Sequence, residues 1–206
     1  EEQLLSELEH LTQRLTVLRQ QCAKQLEHDI KRHLADLNMD KTQFVIEMSK
    51  TELSSTGCDQ IDFLISPNIG EDLKPLAKIA SGGEMSRVML ALQSSFARAD
   101  MVSTLVFDEI DAGIGGMTAQ KIAAKLRNLG ESFQLISITH LPVVASFAAN
   151  HYYIEKHTVN GRTVISVTLL DEQGRIRELI RMLGGQDSQE ITVAHAKELL
   201  KQAATR

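Results

Sequence analysis

The sequence predicts an α/β fold: a parallel sheet with a crossover helix, preceded by a coiled-coil helix. Two patterns carry that expectation, an apolar seam at helical spacing near the N-terminus and, further on, apolar runs of strand length alternating with amphipathic helices. Composition agrees: 206 residues, 43% hydrophobic and 24% charged, suffice for one sizeable core plus an appendage and exclude disorder or a fibrous repeat over the whole length.

Leu4, Leu8, Leu11, Leu15, Leu18 and Cys22 recur in alternating steps of four and three, which keeps one apolar stripe facing a partner helix. Through Leu26, Ile30, Leu34 and Leu37 the rhythm slips, so the stripe drifts as it would on approach to a globular body. At about 1.5 Å per residue such a helix extends roughly 50 Å. It is either one strand of an antiparallel coiled-coil arm or a long helix packed on its own domain, and its length favours the arm. Residues 1–38 are therefore read as the C-terminal strand of an arm and residues 39–206 as a body.

Beyond Asn38, Phe44 to Met48 and Ile61 to Ile65 read as short strands separated by the turn-prone Ser54 to Gly57. A loop with Pro67, Gly70 and Pro75 follows. A helix is expected after Ser81, a buried strand over Val102 to Phe107, a helix from Met117 to Leu129 and a strand from Phe133 to Thr139. Strand, crossover helix and strand in that order make a right-handed βαβ unit with parallel neighbours. Strands near Tyr152 to Ile154 and Val164 to Leu169 form a hairpin around Asn160-Gly161. Two helices close the chain, one ending at Gly184-Gly185 and one starting near Asp187, with Glu190 completing a capping box.

Several classes of function are excluded. Aromatic residues make up 4% with no Trp, too few for a platform that stacks single-stranded bases. A formal charge of −5 argues against a surface that grips nucleic-acid phosphates throughout, so any such contact comes from a local patch or a partner. Cys22 and Cys58 have neither CxxC spacing nor a His companion and read as reduced thiols of a cytoplasmic protein. No apolar run reaches membrane-spanning length, so no membrane partner is expected. The chain opens mid-helix and reads as a piece of something longer.

Three places carry chemistry. In Ala80-Ser81-Gly82-Gly83-Glu84, Ser81 and Glu84 form a capping box, and the two glycines let another molecule approach the amides at a helix N-terminus, where the dipole favours phosphate. Leu105-Val106-Phe107-Asp108-Glu109 is an apolar strand ending in two acids. Such ends are common where a parallel strand meets solvent, but adjacent residues there point in different directions, which suits one acid holding Mg²⁺ and the next deprotonating a water. His140 follows the strand joined to it by a single crossover helix, so both carboxyl ends open at one sheet edge, where ligands bind in open α/β folds. A lone histidine before Leu-Pro is otherwise an ordinary loop residue. Asp111, with Gly113, Gly115 and Gly116, makes a flexible loop just past the acids. Glu84 and Arg87 read as a helix-surface pair, Met85, Met89 and Leu92 as core, and His10, His28 and His33 lack metal spacing.

Taken in order, SGGE, LVFDE, Asp111 and His140 resemble the signature, Walker B, D-loop and switch histidine of the ATP-binding-cassette superfamily. A coiled coil placed directly before the signature half resembles its SMC-type branch. KIASGGEMSR, FDEIDAGIGG, THLPVVA, ELIRMLGG and AHAKELL resemble the RecN family of bacterial DNA double-strand-break repair proteins, over Phe63 to Leu200. The resemblance implies the C-terminal lobe of an ATPase head that uses ATP and Mg²⁺. Ser81, Gly82, Gly83 and Glu84 would meet the ATP of an opposite protomer. Asp108 would support Mg²⁺, Glu109 would be the general base, Asp111 would act across the dimer interface and His140 would sense the γ-phosphate. Implied partners are a second head, DNA and recombination proteins at the nucleoid. Val143 departs from an expected glutamine, and Met85 replaces a usual leucine.

No GxxxxGK[ST] phosphate loop occurs in the sequence. In the family it lies in the N-terminal half, beyond the coil, so that half is an expected partner and this chain alone an inactive fragment. Two alternatives share the features: the head of a chromosome-condensing SMC protein and a non-catalytic dimerisation or docking module.

Overall fold

The computed structural model describes residues 2–78, 82–96, 102–159, 161–185 and 190–205. They fall into two compact units, 1–100 and 101–206.

In the first unit, helix α1 (Glu2–Asp36) precedes an antiparallel sheet of β1 (Gln43–Ser54), β2 (Gly57–Ser66) and the two-residue β3 (Lys74–Pro75), then a 3-10 turn (Leu76–Lys78) and helix α2 (Gly82–Phe96). The seam of α1 behaves as its changing rhythm predicts. Leu4, Leu8, Leu11 and Leu18 are exposed, whereas Ile30, Leu34 and Leu37 are fully buried with Phe44, Ile65, Val88 and Ala91. Burial of one such aliphatic side chain contributes about 1.5–3 kcal/mol, so the root of α1 and not its tip is what this unit stabilises. The helix ends through Asn38, at φ 61°, which lets the Met39 amide donate to the Leu34 carbonyl at 3.0 Å. Asn is the residue other than Gly that tolerates this left-handed backbone best.

Strands β1 and β2 pair from Gln43↔Ser66 to Ser54↔Gly57 and run further than the expected runs. The extra β1 residues, Ser49 to Ser54, are exposed and all polar but Leu53, so no apolar alternation marks them. Gly57 turns the chain at φ 98°. The α1 side chain Glu27 accepts from the Ile46 amide at 2.7 Å, fixing β1 against the helix. Pro75 sits on the edge strand β3, opposite Leu64, where a missing N–H costs little. Met89, expected in the core, is exposed: Val88, Leu90, Ala91 and Leu92 supply the buried stripe of α2 instead. Arg87 is half-buried rather than an open surface partner, and burial lowers its pKa while the charge of Glu84 opposes that shift.

The second unit contains β4 (Thr104–Phe107), α3 (Gly116–Gly130), β5 (Gln134–Ser137), α4 (Pro142–Ser146), β6 (Tyr152–Val159), β7 (Arg162–Leu169), α5 (Glu172–Met182) and α6 (Glu190–Thr205). Strands β4 and β5 are direct parallel neighbours with α3 as the connection. Helix α3 buries Ala119, Ile122, Ala123, Leu126 and Leu129, one stripe at steps of three and four. The other sheet face is bare: Val106 is 64% and its cross-strand partner Ile136 49% exposed.

Strands β6 and β7 form the expected antiparallel hairpin, with Gly161 at φ 75°; Asn160 lies outside the described residues. One ribbon face carries Tyr152, Ile154, Ile165, Val167 and Leu169, each more than half exposed. Helix α5 is capped by Asp171, which accepts from the Gly174 amide at 2.7 Å. It closes with Gly184 at φ 74° and the Gly185 amide donating to the Ile180 carbonyl at 3.0 Å. Its apolar face packs Leu179 and Ile180 on Ala145 and Ala196. The expected cap at Asp187 lies outside the described residues, and α6 begins at Glu190.

Candidate functional site

The sheet edge where β4 and β5 end brings together most of the residues singled out in the second unit. Phe107 pairs with Ser137, and the Ile138 amide donates to the Phe107 carbonyl at 2.9 Å. Asp108 and Glu109 therefore leave one strand and His140 its immediate neighbour, at the carboxyl edge of a parallel pair. Asp108, Glu109 and His140 are all exposed, as groups that meet a ligand must be.

Glu109 has φ 54°, one of only two non-glycine residues with positive φ among those described. That backbone costs a residue with a Cβ about 1 kcal/mol or more, so its surroundings must impose it. They do so on the C-terminal side. Ile110 and Asp111 are both buried, and the Ala112 amide donates to the Glu109 carbonyl at 3.0 Å. The turn tucks two consecutive side chains inwards and leaves Glu109 at its outer bend.

Asp111 is not a solvated loop residue. It is 1% exposed, and its Oδ2 accepts the Thr139 hydroxyl proton, the His140 amide at 3.1 Å and the Leu141 amide at 3.2 Å. The Nδ1 of His140 lies 3.4 Å from the same oxygen. A buried carboxylate needs several donors to offset its lost hydration, and all three come from the loop that carries the histidine. Gly113 and Gly116, at φ 70° and 55°, then carry the chain into α3.

In the first unit, Ser81 lies outside the described residues, and α2 begins at Gly82 with Gly83 buried. Sequence reasoning named Asp111 but not its burial, and it passed over Thr139. The available signal was the apolar Ile110 before Asp111, which draws the next residue inwards as well.

Among the described residues no cluster of three His, Cys, Asp or Glu side chains forms a cage. Asp108, exposed at the carboxyl end of β4, is a single carboxylate of the kind that magnesium takes alongside phosphate oxygens. No described helix is long and apolar enough to cross a membrane.

No protein-family model matches the chain. Among curated proteins it is 41% identical over 196 residues to the DNA repair protein RecN of Halalkalibacterium halodurans, covering 93% of this chain and 35% of that protein. Against RecN of Bacillus subtilis the identity is 42% over 202 residues, covering 90% and 35%. Against RecN of Vibrio cholerae it is 44% over 180 residues, covering 86% and 32%. The chain thus spans about a third of the length of the curated relatives it matches. Among solved structures, an Smc head domain with a coiled coil and joint from Pyrococcus yayanosii has the same kind of fold. Its TM-score is 0.55 at 21% identity, over 80% of this chain and 30% of that one. Sequence identity places the chain beside the RecN proteins, which it matches over most of its own length and about a third of theirs, and the fold is that of an Smc head domain.

Proposed function

We propose that this chain is the C-terminal part of an SMC-like ATPase head that acts in DNA double-strand-break repair and recombination. Residues 1–38 form one strand of its arm and residues 39–206 the signature and Walker B side of the head. The observation that carries this reading is the direct parallel pairing of β4 and β5, which sets Asp108, Glu109 and His140 on one sheet edge. The relatives' printed role in DNA repair supplies the process.

Each residue then has a task. Glu109, exposed at the bend, accepts the proton of the water that attacks the γ-phosphorus. Asp108 holds Mg²⁺, which neutralises charge on the phosphates. His140 contacts the γ-phosphate beside the attacking water. Gly82, Gly83 and Glu84, at the start of α2, together with Ser81, which precedes them in the sequence, meet the ATP of a second protomer, where the helix dipole favours its charge. Asp111 serves the dimer through the turn it anchors, since its carboxylate is spent inside its own chain. Binding of ATP closes two heads and hydrolysis releases them, so the arms and the DNA they hold move.

The head is incomplete without the N-terminal half. The bare face of β4–β5 supports this, because parallel sheets are covered on both faces, and so does the exposed apolar face of the antiparallel β6–β7 ribbon. So does the missing phosphate loop. The test is to titrate ATP with Mg²⁺ into this chain alone and together with the N-terminal half. Tight binding and turnover are expected only for the pair. Glu109→Gln in the pair is expected to keep ATP-driven dimerisation and abolish turnover. Tight Mg²⁺-dependent binding by this chain alone, or full turnover by Glu109→Gln, refutes the reading.

A further inference from the structure

The loop from β5 to α4 has little of its own to hold it. The Ile138 amide makes its bond to the Phe107 carbonyl, and α4 is only five residues long with no side-chain cap at Leu141. Between them lies His140, whose side chain is 69% exposed. What fixes that backbone is one hydroxyl and one carboxylate oxygen. The Thr139 hydroxyl donates to Asp111 Oδ2 and accepts the Leu141 amide at 3.0 Å, while the same Oδ2 takes the His140 and Leu141 amides. Asp111 stands two residues past Glu109, on the far side of the left-handed bend. The turn that presents Glu109 and the loop that presents His140 are therefore tied at a single buried point.

We propose that Thr139 is a positioning residue for hydrolysis: its hydroxyl, bridging Asp111 and the Leu141 amide, sets His140 in register with Glu109. The proposal rests on the reading of Glu109 as base and His140 as γ-phosphate sensor. The Thr139 hydroxyl is spent on Asp111 and the Leu141 amide, so its effect falls on the chemical step and not on affinity. Valine has the shape of threonine without the hydroxyl, and would leave the buried Asp111 short of a donor and the Leu141 amide short of an acceptor. Serine keeps both bonds.

The test uses the full-length protein containing both halves. In Thr139→Val, kcat is expected to fall about 10- to 100-fold, the range expected for misplacement of a catalytic group by around an ångström, with KM for ATP and ATP-driven dimerisation within about twofold of wild type. Thr139→Ser is expected to recover most of the wild-type kcat. An unchanged kcat in Thr139→Val, a change in KM alone, or a serine variant as slow as valine overturns the proposal. Should valine prevent folding, Asp111→Asn decides. It keeps the shape and one acceptor oxygen but loses the charge, so kcat is expected to drop at constant KM, and a wild-type kcat overturns the proposal. An inert wild-type protein fails the ATPase reading itself, a result distinct from these.

Discussion

Arg19 on α1 and Asp59 on β2 are locked together, with the guanidinium Nη1 donating to the carboxylate Oδ2 at 2.9 Å. Thr16 donates to the other carboxylate oxygen at 2.7 Å, and Arg19 Nη2 donates to the Thr56 carbonyl at 2.7 Å. These bonds hold the middle of the helix to the tip of the hairpin. They also hold the Asp59 carboxyl below its ordinary pKa, the Thr16 hydrogen bond first and Arg19 next, against the opposing effect of burial. A carboxylate with a depressed folded-state pKa adds stability that is complete above the unfolded value, about pH 4, and lost as pH falls through the folded one. Asp59→Asn is therefore expected to lower stability near neutrality and to narrow its difference from wild type below pH 4. Urea unfolding between pH 3 and 7 measures this, and a constant difference across that range contradicts it.

The two halves of the α1 seam should respond differently to truncation. Leu34 is fully buried at the helix root, so Leu34→Ala is expected to cost about 2–5 kcal/mol in this chain. Leu8 is 41% exposed, and Leu8→Ala should lie within about 0.5 kcal/mol of wild type in the same unfolding experiment. With the opposite strand of the arm supplied, Leu8→Ala should acquire a cost. Equal losses at both positions in this chain alone mean that the N-terminal half of α1 packs on its own domain.

Much of this architecture was legible because it follows from periodicity. The slip after Cys22 announced the burial of Ile30, Leu34 and Leu37, and the strand-helix-strand order announced the parallel pair. The sheet edge was legible too, since one crossover helix forces both strand ends to the same side. What escaped depends on contacts distant in sequence. Asp111 looks like a polar loop residue until Thr139, 28 positions on, is brought against it. The bend at Glu109 is imposed by the burial of Ile110 and Asp111 and has no Gly or Asn to mark it. Met89 is expected in the core with Met85 and Leu92, but the stripe that packs is centred on Val88 and Leu92.

His151 gives the second unit a pH dependence of its own. Its Nδ1 is enclosed with no hydrogen-bond partner among the described residues, and burial first, then the nearby Arg175 charge, lowers its pKa from the usual 6.5. Here the unfolded chain takes up a proton more readily than the folded one. The contribution is complete above pH 6.5 and declines as pH falls toward the folded value. Replacing the ring with one that cannot titrate, His151→Phe, is expected to flatten the dependence of unfolding stability between pH 5 and 7. A slope equal to that of wild type shows that the imidazole is protonated as easily folded as unfolded.

Glu109 separates backbone from chemistry. At φ 54° a residue with a Cβ is strained and glycine is not, so Glu109→Gly should be more stable than Glu109→Ala by about 1 kcal/mol. This reverses the order expected on an ordinary helix or strand, where glycine is the weaker residue. Neither variant retains a carboxylate, so neither is expected to hydrolyse ATP in the assembled head. Thermal or urea unfolding of the two variants measures the stability order. Alanine matching or exceeding glycine shows that the bend relaxes once the carboxylate is gone, in which case the turn at Asp111 does not impose it.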